Sequence, residues 1–339
     1  MPFLRYDVTS GDWVVFSPER ARRPHEFRRL MASAATPAEG TGPCPFCPGN
    51  EWMTGREIYA VRASGGPNDA GWRIRVVPNK FPALRIEEDN QHVEEGPLFR
   101  RLGGCGAHEV VIESPQHDTF LAYQPVEHIA ELLGVLQFRH NDLLKDARIQ
   151  QIVIFKNHGE RAGTSLRHPH WQVIATPVVP RLLRLKHRLA TDYFDLTGHC
   201  LYCEMVREEI AAEARLVALT ERFVALAPYA AHMPFETWIL PRYHQASFGQ
   251  ASAAELRELA ELLRQVLLKL STALNNPDFN LTINTVPRGE ENEPYFLWHL
   301  QILPRLTTPA GFELGSGMSI NLVLPEEAAA YLRDQEINS

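Results

Sequence analysis

Residues 163–177 read GTSLRHPHWQVIATP, and the apolar run toward the end of this stretch predicts a buried β-strand. Successive side chains of a strand point to opposite faces, so His168, His170 and Gln172 share one face. Pro169 and Trp171 point the other way. Three polar groups on one face of a buried strand need partners, because unpaired buried polar groups are costly. The pattern favours a site, and it leaves open whether the histidines bind a metal, act as a catalytic pair or pack in the core.

The composition is that of an ordinary globular protein. The chain has 339 residues, 45% hydrophobic and 22% charged, which is enough for a large core in two domains or two similar halves. The net charge of -7, with both signs interspersed, argues against a nucleic-acid surface but permits a small anionic ligand. No apolar run approaches the roughly 20 residues of a membrane-spanning helix, and no export signal is seen. We therefore expect a cytoplasmic protein without a membrane partner.

Four of the five cysteines form two Cys-x-x-Cys pairs, Cys44/Cys47 in CPFCPGNE and Cys200/Cys203 in HCLYCEM. An odd total without an export signal weighs against a disulfide framework. Each pair has the spacing with which two thiolates bind one tetrahedral zinc, whereas a redox pair is expected between a strand and a helix. Zinc is therefore favoured over redox chemistry and over cysteines without a role. The remaining Cys105 is expected to be a small buried hydrophobic residue.

The same order of elements occurs twice along the chain. In the first half a Cys pair is followed by a strand ending near His117, a helix over about 126–145 and two further strands. In the second half a Cys pair is followed by a strand and His244, a helix over about 253–274 and two further strands. We therefore predict an α+β fold built from two copies of one module. The predicted domains are residues 1–190 and residues 191–339.

The spacing of the histidines agrees with this duplication. His117 and His170 are 53 positions apart, and His244 and His299 are 55 apart. Chance alternation of amphipathic elements is the weaker explanation, because the cysteines and histidines recur in the same order.

The motifs of the chain resemble those of the galactose-1-phosphate uridylyltransferase family, a branch of the histidine-triad superfamily. The resemblance runs from about Trp13 to about Glu327 and rests on CPFCPGNE, PNKFPAL, HEVVIESPQHD, NHGERAGTS before RHPHWQ, and GFELGSG. It implies two histidine-triad-like halves, each a mainly antiparallel sheet with packed helices, in a chain that forms a homodimer. It also implies transfer of a nucleotidyl group through a covalent nucleotidyl-histidine, with a nucleoside diphosphate sugar and a hexose 1-phosphate as substrates.

The resemblance gives the paired histidines different roles. It implies that His170 is the nucleophile that attacks the α-phosphorus, and that His168 is a ligand of a structural zinc. The other implied ligands of this zinc are Cys44, Cys47 and His117. A neutral imidazole is a competent nucleophile near pH 7 and its phosphorylated form is a good leaving group, so one difficult displacement becomes two easier ones. A zinc with four protein ligands has no open position for water activation.

Other positions match substrate contacts of the family. Gln172 and Ser165 would donate hydrogen bonds to the phosphates, and the backbone amides of Gly163 and Thr164 would approach them. The alternative for this segment is a tight loop before a strand. The remaining implied contacts are Arg20 and Arg23, which reach the site of a partner subunit, Asn79 and Asn157 near the nucleotide, and Phe312 and Glu313 near the hexose. The alternative for the arginines is a solvated surface position, and the alternative for the asparagines is a turn.

The second half departs from the first at one position. Leu297 stands where the first half has His168, and His299 corresponds to His170. Two cysteines and His244 supply three ligands for a second metal ion, and we expect His299 as the fourth because it shares a strand face with position 297. The full predicted second set is Cys200, Cys203, His244 and His299. The alternatives are three ligands with a water, and thiols that bind no metal.

The resemblance implies a ping-pong uridylyltransferase that converts UDP-glucose and galactose 1-phosphate into glucose 1-phosphate and UDP-galactose. Residue spacing does not separate uracil from adenine, so an ADP-glucose phosphorylase or another adenylyl transferase of the family is the alternative. A non-catalytic nucleotide-binding protein is the more remote one. The intact set of His170, Ser165 and Gln172 argues against it.

Overall fold

The computed structural model describes residues 1–19 and 42–337. Arg20 and Arg23, which are expected to reach a partner's nucleotide site, lie outside the described residues. None of the helices in these two ranges combines the length and the apolar composition of a segment that crosses a bilayer.

One large antiparallel sheet organises the fold. The strands are β1 (Phe3–Tyr6), β2 (Trp13–Phe16), β3 (Tyr59–Arg62), β4 (Trp72–Pro78), β5 (His92–Glu95), β6 (Phe99–Leu102), β7 (Ala107–Ile112), β8 (Gln151–His158), β9 (His170–Thr176), β10 (Leu216–Leu219), β11 (Phe223–Leu226), β12 (Thr237–Pro241), β13 (Phe279–Asn284), β14 (His299–Pro304) and β15 (Ile320–Asn321). The 10-stranded sheet has the order β10-β11-β12-β14-β13-β8-β9-β7-β4-β3, and its neighbouring strands are antiparallel. β1, β2 and β15 form a smaller sheet, and β5 pairs with β6.

The strand order of the large sheet shows the internal repeat. From one edge to the centre run β3, β4, β7, β9 and β8, and from the other edge run β10, β11, β12, β14 and β13 in the corresponding places. The two sets join where β8 pairs with β13, in a register that places Asn157 opposite Asn280. The predicted α+β class, with two similar and mainly antiparallel halves, is therefore confirmed.

Two long helices pack on one face of this sheet, as the apolar periodicity predicts. The helices are α1 (Val126–Leu143), α2 (Arg181–Thr197), α3 (Leu201–Ala212), α4 (Ala253–Leu274), α5 (Gly311–Ser316) and α6 (Pro325–Arg333). α1 and α4 are the two helices that the sequence predicts, and they pack against each other. Ser252 and Glu255 form a capping box at the start of α4. Trp171 and Trp298 are fully buried in the same core, which therefore joins the two halves.

Two strand ends differ from the prediction near the histidines. The strand expected to end near His117 is β7, which ends at Ile112, and β9 begins at His170 rather than at His168. The prolines in ESPQHD and in HPH explain both ends, because proline lacks the N–H that a β-ladder needs. Ile112 pairs with His170, so the loops that carry His117 and His168 leave the sheet side by side.

The first strands of the chain pack against its C-terminal part. β2 pairs in parallel with β15, and Arg5 on β1 forms an ion pair of 3.0 Å with Glu326. The predicted division at residue 190 falls inside α2, and this boundary stays a prediction.

Candidate active site

Four potential metal ligands come together where the loops after β7 and before β9 meet the first Cys pair. They are Cys44, Cys47, His117 and His168, and their ligand atoms all lie within 4.8 Å of one another. Cys47 Sγ lies 3.3 Å from His117 Nδ1 and 3.6 Å from His168 Nδ1. A tetrahedral zinc with bonds of about 2.3 Å to sulfur and about 2.1 Å to nitrogen separates such ligands by about 3.6 Å. The structure therefore assembles the predicted set with the spacing of a closed metal site.

The protonation of these ligands also suits a cation. His168 Nε2 donates to the carbonyl oxygen of Ser114 at 2.8 Å, which leaves the lone pair of Nδ1 toward the cysteines. Burial lowers the pKa of His168 to about 4, so its ring is neutral near pH 7. Burial and the adjacent Cys44 raise the pKa of Cys47 to about 11, because two neighbouring thiolates repel each other. A divalent cation removes that repulsion, so the donor set fits a metal ion.

His170 lies beside this cluster as the first residue of β9. Its Nδ1 donates to the carbonyl oxygen of His168 at 2.8 Å, so Nε2 of the neutral ring carries the lone pair. Burial lowers the pKa of His170 to about 4. The ring of Phe46, between the paired cysteines, packs edge-on against His170 with the centroids 5.4 Å apart. A neutral imidazole held through one nitrogen presents the other as a nucleophile.

Gln172, two residues further along β9, is linked to a histidine that the sequence analysis did not single out. Its Oε1 lies 2.8 Å from Nε2 of His108 on β7. Asn79, a predicted nucleotide contact, has its Nδ2 3.1 Å from the same ring nitrogen. The structure therefore brings Gln172 and Asn79 together through His108.

The loop between β8 and β9 carries three of the predicted phosphate contacts. Gly163 has a left-handed backbone with φ of +85°, which favours glycine. The N–H groups of Gly163 and Thr164 donate within the loop, to the carbonyls of Glu160 at 2.9 Å and Gly159 at 3.3 Å. In this structure these two amides hold the loop together and are not free for a phosphate. Ser165 is exposed in the same loop, where its hydroxyl can meet a ligand.

Asn157, the other predicted nucleotide contact, is oriented by the second half of the chain. Its Oδ1 accepts from Asn280 Nδ2 at 2.7 Å, across the junction of β8 with β13. Asn280 also donates to the carbonyl of Ala162 at 2.9 Å, and its Oδ1 accepts from Arg305. The second half thus supports a residue of the first half's site.

A second cluster forms around the other Cys pair. Sγ of Cys203 lies 3.4 Å from Nδ1 of His244, and both atoms lie within 4.8 Å of Cys200 Sγ. His244 Nε2 donates to the carbonyl of Glu293 at 3.1 Å, which leaves Nδ1 to bind a cation. Hydrogen bonds from Cys203 and His244 lower the pKa of Cys200 to about 5, against the opposing effect of burial. Three of the four predicted ligands are therefore together.

The structure does not bring His299, the predicted fourth ligand, into this cluster. The ring is fully buried between Trp238 and Tyr202, with centroid distances of 4.9 and 5.1 Å. Its Nδ1 donates to the carbonyl of Leu297 at 3.0 Å, as His170 does to His168. A shared strand face with position 297 did not suffice, because the ring stacks between aromatic side chains and is not grouped with the ligand atoms of Cys200, Cys203 and His244.

Phe312 and Glu313 are likewise apart from His170. Phe312 is 50% exposed on α5, and Glu313 accepts from the backbone N–H of Ala310 at 2.7 Å as a cap of this helix. Within residues 1–19 and 42–337, no hydrogen bond or ring contact joins α5 to the first cluster or to His170.

His108 and Asn280 are residues of the site that sequence reasoning missed. His108 is a polar residue at the start of the apolar strand in HEVVIESPQHD. This contrast was the signal in the sequence that could have identified His108 as a site residue. Its place beside Gln172 depends on strand register, because β7 pairs Val110 with Gln172 and so makes His108 the diagonal neighbour.

Comparison with known proteins identifies relatives over the whole chain. Residues 1–180 match the model of the galactose-1-phosphate uridyl transferase N-terminal domain, and residues 186–315 match that of the C-terminal domain. ADP-glucose phosphorylase of Arabidopsis thaliana is 36% identical over 336 residues, which cover 98% of this chain and 93% of that protein. Galactose-1-phosphate uridylyltransferase of Thermotoga maritima is 29% identical over 342 residues, which cover 98% of each chain.

The fold agrees with these sequence relatives. A crystal structure of the Arabidopsis thaliana ADP-glucose phosphorylase with bound ADP-glucose covers 100% of both chains, with a TM-score of 0.84 and 34% identity. Both family matches, together with the fold and the assembled cluster, agree with the resemblance of the motifs. The chain therefore belongs to the galactose-1-phosphate uridylyltransferase family and is a nucleotidyltransferase.

Proposed function

We propose that this chain is an ADP-glucose phosphorylase, which transfers the adenylyl group of ADP-glucose through His170 to inorganic phosphate. The observation that carries the proposal is a neutral, buried His170 beside the four-ligand cluster, whose Nε2 makes no hydrogen bond within residues 1–19 and 42–337. Adenine is supported by the Arabidopsis thaliana relative, which is 36% identical and has ADP-glucose in its crystal structure. Uridylyl transfer from UDP-glucose to galactose 1-phosphate is the second candidate, because the Thermotoga maritima relative has that enzyme's name.

The proposed chemistry has two displacements at one phosphorus. In the first, His170 Nε2 forms a bond to the α-phosphorus, the bond from this phosphorus to the bridging oxygen breaks, and glucose 1-phosphate leaves. In the second, a phosphate oxygen attacks the same phosphorus, the N–P bond breaks, and ADP leaves. No base is needed for the second step, since a phosphate oxygen is already anionic near neutral pH. The Nδ1–H bond to the carbonyl of His168 stabilises the positive ring of the intermediate.

We also propose that the first cluster holds zinc. The ligands are Cys44, Cys47, His117 and His168. The zinc supplies rigidity, since four protein ligands leave no open coordination position. It fixes the loop of His168, whose carbonyl oxygen in turn holds the ring of His170.

The substrate contacts are proposed from the same arrangement. Gln172, on the same strand face as His170, and the exposed Ser165 would donate to the phosphoryl oxygens. Asn79 and Asn157 would contact the nucleotide.

A homodimer would complete this site. Phe312 and Glu313 make no contact with His170 in the described part of the chain, so their proposed contact with the sugar would come from a partner subunit. Arg20 and Arg23 are likewise proposed to contact the nucleotide site of a partner subunit. The cytoplasmic location stays a prediction from the sequence.

Incubation with ADP-glucose and with UDP-glucose, in separate samples, should distinguish the two candidate reactions. We expect intact mass spectrometry to show an adenylyl adduct with ADP-glucose, and at least about tenfold less uridylyl adduct with UDP-glucose, because the base site discriminates through its hydrogen bonds. Phosphate should discharge the adenylyl adduct and give ADP. A uridylyl adduct that galactose 1-phosphate discharges would establish the second candidate, and no adduct with either sugar would favour a binding protein.

Metal analysis should show whether the second cluster binds a metal ion. We propose that Cys200, Cys203 and His244 hold a zinc whose fourth ligand is not a protein side chain, so the wild-type protein should contain two zinc ions per chain. Cys203→Ser should lower this content to one and change nucleotidyl transfer by less than about twofold. Cys105→Ala removes a buried cysteine outside both clusters and should keep both ions. A wild-type content of one zinc that Cys203→Ser leaves unchanged would contradict the second site.

A further inference from the structure

His108 contacts two of the three amide side chains of the proposed substrate site, those of Gln172 and Asn79. Its Nε2 lies 2.8 Å from Gln172 Oε1 and 3.1 Å from Asn79 Nδ2. Its Nδ1 lies 3.2 Å from the backbone nitrogen of Ala83. The ring is thus held at both nitrogens by groups from three segments of the chain.

The backbone contact decides which ring nitrogen carries the proton. A backbone N–H can only donate, so the contact with Ala83 requires a lone pair on His108 Nδ1. In the neutral ring the proton then lies on Nε2, from which it donates to Gln172 Oε1. Asn79 Nδ2 gains no bond from this ring, because both groups are donors. Its amide cannot turn over, since Asn79 Oδ1 already accepts from the N–H of Phe81 at 2.9 Å.

The opposite tautomer satisfies fewer groups. A proton on Nδ1 would face the N–H of Ala83, donor against donor. Gln172 would have to turn its amide over in order to donate to Nε2, and Asn79 alone would gain a bond. Two of the three contacts fit the Nε2–H form without any rearrangement, so the geometry favours that form.

This tautomer determines how the Gln172 amide is presented. Its Oε1 is occupied by His108, and its Nε2 has no acceptor among the residues that the structure describes. Gln172 lies on the same strand face as His170, two residues away. Its free NH2 group suits an anionic phosphoryl oxygen, whereas an amide turned the other way would present a carbonyl oxygen and repel it.

We propose that His108 is a positioning residue, which fixes Gln172 so that the NH2 group of this glutamine faces the phosphoryl group during transfer. The inference rests on the proposed nucleotidyl transfer through His170. It does not depend on the base or the sugar of the substrate. His108 touches no reacting atom and acts through Gln172.

A double-mutant cycle with Gln172 tests this role. We expect His108→Ala to slow the single-turnover formation of the nucleotidyl-enzyme by about tenfold or more, while the KM for the nucleotide sugar changes by less than about threefold. Adding His108→Ala to Gln172→Ala should cause no further loss, because the residue through which His108 acts is already gone. His108→Gln should keep most of the rate, since its amide NH2 can still donate to Gln172 Oε1.

Two results would overturn the proposal in an active enzyme. Additive losses in the double variant would show that His108 acts independently of Gln172. A loss confined to KM or to the melting temperature would show a merely structural role.

A measurement that does not depend on enzymatic activity can test this proposal separately from the proposed function. In protein labelled with nitrogen-15 histidine, the ring shifts of His108, assigned by their loss in His108→Gln, should show protonation at Nε2. Protonation at Nδ1 would overturn the positioning role, whatever the activity. A wild-type protein that forms no nucleotidyl adduct would instead overturn the proposed function, and the role of Gln172 in transfer with it.

Discussion

Replacing His170 with alanine should abolish nucleotidyl transfer and leave the fold and the metal content unchanged. We expect the rate of glucose 1-phosphate release to fall by at least about 10⁴-fold, because the group that forms the covalent intermediate is lost. The four proposed metal ligands all remain, and the side chain of His170 faces away from the helix-covered core in which Trp171 is buried. The loss in the free energy of unfolding should therefore be only about 1 kcal/mol. Rapid-quench release of glucose 1-phosphate, metal analysis and urea unfolding measure the three quantities.

The internal repeat provides a matched control for this variant. His299 begins β14 as His170 begins β9, and its Nδ1 makes the same hydrogen bond to the carbonyl two residues before it. His299 is fully buried between Trp238 and Tyr202, so no substrate reaches its Nε2. His299→Ala should keep the transfer rate per folded molecule. Retained exchange in His170→Ala would remove His170 from its role, and a loss seen only in His299→Ala would move the reaction to the second half.

Local patterns in the sequence were sufficient for much of the first half's site. The Cys-x-x-Cys spacing and the alternation of His168 and His170 are properties of short segments, and the structure brings these groups together. The helix of residues 253–274 was predictable for the same reason, since its apolar stripe and its capping box are both local. The duplication was also readable, because the order of motifs along the chain reflects the order of strands across the sheet.

What sequence reasoning missed depends on contacts between distant segments. His108 meets Gln172 through the register of β7 with β9, and Asn280 meets Asn157 through the junction of β8 with β13. Register is a property of a strand pair, so neither strand reveals it alone. The error at His299 has a similar origin, because alternation predicts the face of a strand and not the stacking that holds the ring there.

Replacing a proposed zinc ligand should have different effects from replacing the proposed nucleophile. We expect His168→Ala to lose one zinc per chain, to lower the free energy of unfolding by about 3–5 kcal/mol, and to slow nucleotidyl transfer by at least about 100-fold. The reason for the lost activity is geometric, since the loop of His168 carries the carbonyl oxygen that holds His170 Nδ1. Metal analysis, urea unfolding and single-turnover kinetics measure the three effects.

The contacts around the cluster indicate that loss of the metal should disturb only the nearby loop. Lys156 and Glu113 form a buried ion pair of 3.0 Å behind these loops, and the backbone N–H of Glu113 donates to the carbonyl of Pro169 at 3.3 Å. These bonds do not involve the four proposed ligands, so the sheet should persist in a protein without zinc and the HPH loop alone should loosen.

Cys44→Ser separates the loss of the metal from the loss of a hydrogen bond. His168→Ala removes a ligand and also the bond from its Nε2 to the carbonyl of Ser114, whereas Cys44→Ser removes only a ligand. If zinc is the cause, both variants should lose the ion and slow transfer to a similar extent, and chelated wild-type protein should recover activity when zinc is returned. Full activity of Cys44→Ser without its zinc would show that hydrogen bonds alone position His170. Zinc should never restore His170→Ala, because in that variant the loop is ordered and the nucleophile itself is missing.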